Sequence, residues 1–138
     1  ILDTDSALPA RIAADLAALA PTELYVPLAF GNHVDHQLTL AAGELLAAEG
    51  FPVWGYLDTP YVDALSLEDI AAATSSLERR VVPLDADTYR RRIAAVTCYA
   101  SQLPVLFRDL GAPEAVLRDH LLRLGEGQPA EVVYRLPV

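Results

Sequence analysis

Short β-type runs alternate with stretches of helical periodicity along most of this chain, and that alternation limits its folds more than any other feature. The β-type runs are Glu23–Leu28, Phe51–Leu57, Arg79–Leu84 and Ala130–Leu136. Between and around them, helical patterns cover Ser6–Ala20, a stretch from His33 or Asp35 to Glu49, then Ser66–Ser76, Asp85–Leu103 and Pro113–Leu124. Strand–helix alternation is the signature of βα units, so an α/β fold with a mainly parallel sheet covered by helices is expected.

Local signals mark the element ends. Ile12, Leu16 and Leu19 share one face of the first helix, Pro9 sits in its first turn, and Pro21 closes it. Gly50 is a C-terminal stop for the second helix. Ser66, with Asp69 at the third helical position, forms a capping-box pattern. Ile93, Val96, Ala100 and Leu103 share a face of one long helix, in which Cys98 reads as a buried thiol. Pro113 and Gly125 bracket the last helix.

Composition excludes several classes. With 138 residues, 53% of them hydrophobic, the chain fits one domain, residues 1–138, and is not a disordered tract. The formal charge of −9 repels phosphate backbones, so a nucleic-acid partner is not expected. No stretch approaches the roughly 20 apolar residues that span a bilayer. The single Cys98 cannot form an internal disulfide, which fits a reducing cytoplasmic setting. No leader pattern opens the chain, and a start at Ile1 without Met suggests a processed, cloned or partial piece.

The chemistry concentrates in Gly31-Asn32-His33-Val34-Asp35-His36, where a strand passes through a loop into a helix. Ligands of parallel α/β sheets bind just beyond such C-terminal strand ends. Residues three apart lie on one side of a helical turn, so His33 and His36 can face the same space. Imidazole is a common zinc ligand, and a neighbouring carboxylate can set its tautomer. Asp35 can alternatively cap the helix. On spacing alone, metal binding and a merely polar helix start weigh about equally, because a catalytic zinc takes three protein ligands.

The run from Tyr25-Val26-Pro27 to His36 resembles the second conserved block of the PIG-L-type (LmbE-like) zinc-dependent N-acetylglucosaminyl deacetylases, with Val34 in place of that family's usual Pro. Three further blocks are similar in order and spacing. They are Gly55-Tyr56-Leu57-Asp58-Thr59-Pro60-Tyr61, the segment Arg92–Leu103 with its Tyr99-Ala100-Ser101-Gln102, and the closing Ala130–Arg135. The resemblance covers about Ser6 to the end and implies a three-layer Rossmann-like domain whose N-terminal strands are missing from this sequence.

The resemblance implies roles residue by residue. His36 aligns with a zinc ligand, so Zn2+ is the expected cofactor. His33 aligns with the histidine that stabilises the oxyanion or protonates the leaving amine, and Asp35 with the carboxylate that orients it. The remaining ligands and the general base belong to a His-Pro-Asp-Asp block absent here; Asp3-Thr4-Asp5 lacks a histidine and sits in the wrong place. The implied activity is hydrolysis of an N-acyl amino sugar or glycoconjugate, with this piece alone inactive. The zinc would polarise the amide carbonyl and activate a water.

Other residues have plainer readings. Asp58 and Tyr61 line the substrate pocket or simply pack their loop. His120 is read as solvated, Trp54 as core, Ser101 and Gln102 as structural, and Arg90-Arg91-Arg92 as a solvated face. Two alternatives stand beside the enzyme: a non-catalytic binding or structural module of the same fold without the metal site, and an unrelated α/β domain with a chance His-x-Asp-His. A homo-oligomer is left open.

Overall fold

The computed structural model describes residues 7–138; the Asp3-Thr4-Asp5 cluster and the expected helix start at Ser6 lie outside the described residues. In chain order the elements are α1 (Leu8–Ala17), β1 (Leu24–Pro27), α2 (Val34–Ala48), β2 (Val53–Tyr56), a 3-10 turn (Tyr61–Ala64), α3 (Leu67–Ala73), β3 (Glu78–Pro83), α4 (Ala86–Thr97), α5 (Leu103–Leu106), α6 (Pro113–Leu124) and β4 (Ala130–Arg135).

The strands form one sheet in the order β1-β2-β4-β3. β1 and β2 pair in parallel, joined by α2, with Tyr25 opposite Trp54 and Pro27 opposite Tyr56. β4 then enters between β2 and β3 and is antiparallel to both. The expectation of mainly parallel pairing therefore holds for β1–β2 alone. The physical reason is that the chain closes by inserting its last strand against the direction of the others, which periodicity cannot reveal because both pairings use the same alternation.

Side chains alternate between the faces of a strand. Val26, Val53, Leu57, Val132 and Tyr134 project to one face and are buried. There, α1 and α2 supply Ala13, Ala42, Leu46 and Ala47, and next to them α3 and α6 supply Ile70 and Leu124. Both buried clusters lie on this face. The other face presents Tyr25, Tyr56 and Val82, all partly exposed. Gly43 lets α2 approach the sheet closely, since a Cβ there would stand 3.0 Å from both γ-carbons of Val26.

Helix ends follow their local chemistry, with two corrections. α1 stops at Ala17, so Leu19 lies past its end and is exposed rather than sharing the buried face. The long helix expected over Asp85–Leu103 ends at Thr97 and restarts at Leu103. Pro104 has no N–H for the Ala100 carbonyl and its ring would clash there, so a continuous helix could not pass it; in the first turn of α5 it is tolerated. With the helix ended, Cys98 is exposed, not buried. α3 carries the expected capping box between Ser66 and Asp69. Among the described residues no helix is long and apolar enough to cross a membrane.

Candidate functional site

Parallel pairing of β1 and β2 sets their C-terminal ends side by side. The loops that leave those ends carry the two motifs singled out in the sequence. After β1 the chain turns through Ala29 and Asn32, both with positive φ, before His33 caps α2 in an extended conformation. After β2 it runs through Leu57 and Asp58 into the 3-10 turn that carries Tyr61.

Asp58 joins the two loops. One carboxylate oxygen accepts the Phe30 backbone N–H at 3.2 Å, and the other lies 2.8 Å from Nδ1 of His36. The Asp58 side chain is 2% exposed and that of His36 is 29% exposed. A buried carboxylate requires a hydrogen-bonded partner, so the proton belongs on Nδ1 and the Nε2 lone pair of His36 is left free. This is the arrangement in which a carboxylate orients a metal-binding imidazole. Asp58, expected to line the pocket or to pack its loop, lies against His36.

His33 and Tyr61 complete the cluster. The His33 and His36 rings are 5.3 Å apart between centroids. Tyr61 stands edge-on to His36 at 5.5 Å and lies 6.4 Å from His33. Gly31 passes directly under the Tyr61 ring, where any Cβ would overlap ring atoms. On its other side Tyr61 lines a cleft of about 280 Å3 with Pro60, Val105 and Leu106.

Asp35 is exposed and its carboxylate lies 3.8 Å from Nδ1 of His33, within ion-pair range but too far for a hydrogen bond. The same nitrogen accepts a long contact, 3.4 Å, from the Asp35 backbone N–H. The cap and the carboxylate thus compete for one atom. Nearby, burial pushes the Tyr56 phenol above its ordinary value, the Asp58 charge adds to this, and Arg92 opposes it.

His36 fits the role of one zinc ligand by its free nitrogen and its buried carboxylate partner. A catalytic zinc takes three protein ligands. Among the described residues, no three His, Cys, Asp or Glu side chains gather closely enough to hold a metal.

One feature of this region escaped the sequence reading. His120 is buried, not solvated: its Nδ1 lies 2.7 Å from Asp63 Oδ1, with side chains 2% and 9% exposed. Arg123 reaches the same oxygen at 3.3 Å. The signal was present, since His120 falls on the apolar stripe Leu117, Leu121, Leu124 of α6. Trp54 is buried as expected, with the Arg80 guanidinium 3.8 Å above its ring. Arg90 and Arg91 pair with Asp87 at the surface, while Arg92 reaches Glu131 on β4 at 2.6 Å. Ser101 and Gln102 are exposed beside the start of α5.

No protein-family model matches the chain, and no curated protein matches it. Solved structures do match. The chain is similar to the deacetylase of the A40926 pseudoaglycone, with 28% identity over 96% of this chain and 56% of that one, at a TM-score of 0.76. It is similar in fold to the zinc-inhibited form of the teicoplanin deacetylase, with 23% identity, 98% of this chain, 53% of that one and a TM-score of 0.74. A deacetylase–teicoplanin complex gives 23% identity, 96% and 51% coverage, and a TM-score of 0.74. The chain spans about half the length of these structures.

Proposed function

We propose that this chain is the C-terminal portion of a zinc-dependent N-deacetylase of the PIG-L (LmbE-like) type. On this reading it belongs to a three-layer Rossmann-like domain completed by residues outside these 138. The observation that carries the proposal is the His36–Asp58 pair, a carboxylate-backed imidazole with a free Nε2 at the joined C-terminal ends of two parallel strands. Similarity to the A40926 pseudoaglycone deacetylase supports the reaction class.

His36 would hold the zinc together with ligands from outside the sequence described. When bound, the metal supplies Lewis-acid polarisation of the amide carbonyl. His33, 5.3 Å from His36 between ring centroids, is placed to stabilise negative charge on the reacting carbonyl oxygen or to donate a proton to the leaving amine. Asp35 stands beside His33, its carboxylate 3.8 Å from Nδ1, where it can help to orient that ring. Tyr61 walls the site and Asp58 orients His36 from below. The substrate class is an N-acyl amino sugar carried on a larger glycoconjugate, in keeping with the compounds for which the similar deacetylases are named. A cytoplasmic setting is part of the same reading.

The test uses the complete protein. Its zinc content is measured with and without His36→Ala, beside deacetylation of an N-acetyl amino-sugar conjugate. Loss of zinc and of activity together is expected, with the 138 residues alone inactive. Zinc content unchanged by the substitution would remove His36 as a ligand, and absence of deacetylation by the zinc-loaded parent would overturn the reaction class.

A further inference from the structure

Two histidine–aspartate pairs, each with a buried carboxylate, grip a single short segment. At one end Asp58 meets His36 at 2.8 Å, and at the other Asp63 meets His120 at 2.7 Å. Tyr61 lies between them. The second grip is doubled by Arg123, which donates to Asp63 Oδ1 and to the Leu65 carbonyl, each at 3.3 Å. Asp63 and Leu65 are 60 and 58 residues from Arg123 in sequence, so α6 holds this turn entirely through tertiary contacts.

A buried ion pair is weak evidence for net stability, because desolvation offsets the attraction. Here the other Asp63 oxygen is buried without a hydrogen-bond partner, so the arrangement is not the most stable one available. An apolar residue at position 120 would match the rest of the α6 stripe. Such a polar pair in a core is better explained by the unique placement it gives to what it holds. What it holds is the turn whose Tyr61 ring packs edge-on to His36.

We propose that His120 and Arg123 are positioning residues which, through Asp63, hold the Tyr61 ring against His36 and so set the width of the candidate site. They lie outside the ring cluster and need touch no substrate. The inference rests on Tyr61 being a wall of the His33–His36 site, but its test reads a side-chain contact, so it can fail while the deacetylase reading stands.

The experiment compares nuclear Overhauser cross-peaks between the Tyr61 and His36 rings in the complete protein and three variants of it. His120→Leu nearly keeps the volume and removes the closer of the two partners of Asp63, leaving Arg123; the Tyr61–His36 cross-peaks should weaken strongly while those between Leu46 and Val53 in the neighbouring core persist. His120→Asn restores a donor near the position of Nδ1 and should recover the Tyr61–His36 cross-peaks. Arg123→Met removes the guanidinium from a side chain that is 30% exposed, so the fold should tolerate it, and the same cross-peaks should weaken. Tyr61–His36 cross-peaks at parent intensity in His120→Leu would overturn the proposal. If that variant does not fold, parent intensity in Arg123→Met overturns it equally, as does failure of a folded His120→Asn to recover the contact.

Discussion

Asp58 holds His36 by a 2.8 Å contact to Nδ1 while its other oxygen accepts the Phe30 N–H at 3.2 Å. One buried carboxylate therefore fixes an imidazole and clamps the loop that leads to it. The two residues come from motifs 22 positions apart, and they meet because β1 and β2 are parallel.

The first prediction concerns that carboxylate. In Asp58→Asn the amide oxygen can still accept from Phe30, but the amide nitrogen then donates to His36 Nδ1. The ring must move its proton to Nε2, where it blocks a metal. Zinc affinity of the complete protein should fall about 10–100-fold, the range seen for groups that support metal ligands. Chelator competition measures this, and an unchanged affinity would contradict the proposed role.

Gly31 and Tyr61 should be energetically coupled. A Cβ at position 31 would overlap the Tyr61 ring. Gly31→Ala should therefore destabilise the parent and be nearly neutral in a Tyr61→Ala background. Urea unfolding of the four members of this cycle should give a coupling of about 1 kcal/mol, within the range for residues in contact. Additive effects would show that the ring yields freely.

Leu46 is 1% exposed and sits where α2 meets β1 and β2. Truncation to Ala removes buried surface and leaves a cavity in the cluster that supports both loops. A loss of about 2–5 kcal/mol is expected in urea unfolding. A loss below 1 kcal/mol would mean that α2 is not anchored there.

The cap of α4 should respond to acid. The Thr88 N–H, at 2.7 Å, and the Asp87 N–H, at 3.0 Å, both donate to Asp85. Chiefly the Thr88 contact holds the Asp85 carboxyl below its ordinary value of 3.8. A carboxyl lowered on folding stabilises the fold above its unfolded pKa, and that contribution is lost as pH falls through the folded value. Protection of the Thr88 amide, taken relative to its intrinsic exchange rate, should therefore fall below about pH 3.8. Asp85→Asn, which caps without titrating, should abolish that acid-dependent step.

Much of this was legible in local chemistry. Ser66 with Asp69, Gly50, Pro113 and Gly125 mark helix ends through groups that act within one turn, and their signals survive in any context. The Gly31–His36 run announced a polar loop at a strand end because residue types and a three-residue spacing suffice to place two imidazoles together. What escaped was whatever depends on distant partners. The antiparallel entry of β4 between β2 and β3 leaves no trace in alternation.

The sequence by itself determined most of the strands and helices, though not the break between Thr97 and Leu103, because backbone preference and apolar period are carried by neighbours in the chain. It also determined that His33, Asp35 and His36 cluster at a helix start. Only the tertiary structure decided which carboxylate serves which histidine. Asp35 is adjacent in sequence to His36 yet exposed, while Asp58 on the next strand end is buried beneath it. The same holds for His120, whose partner Asp63 lies 57 residues away. Pairing a buried imidazole with a carboxylate depends on which loops the sheet brings together, and strand order is a property of the whole packed chain.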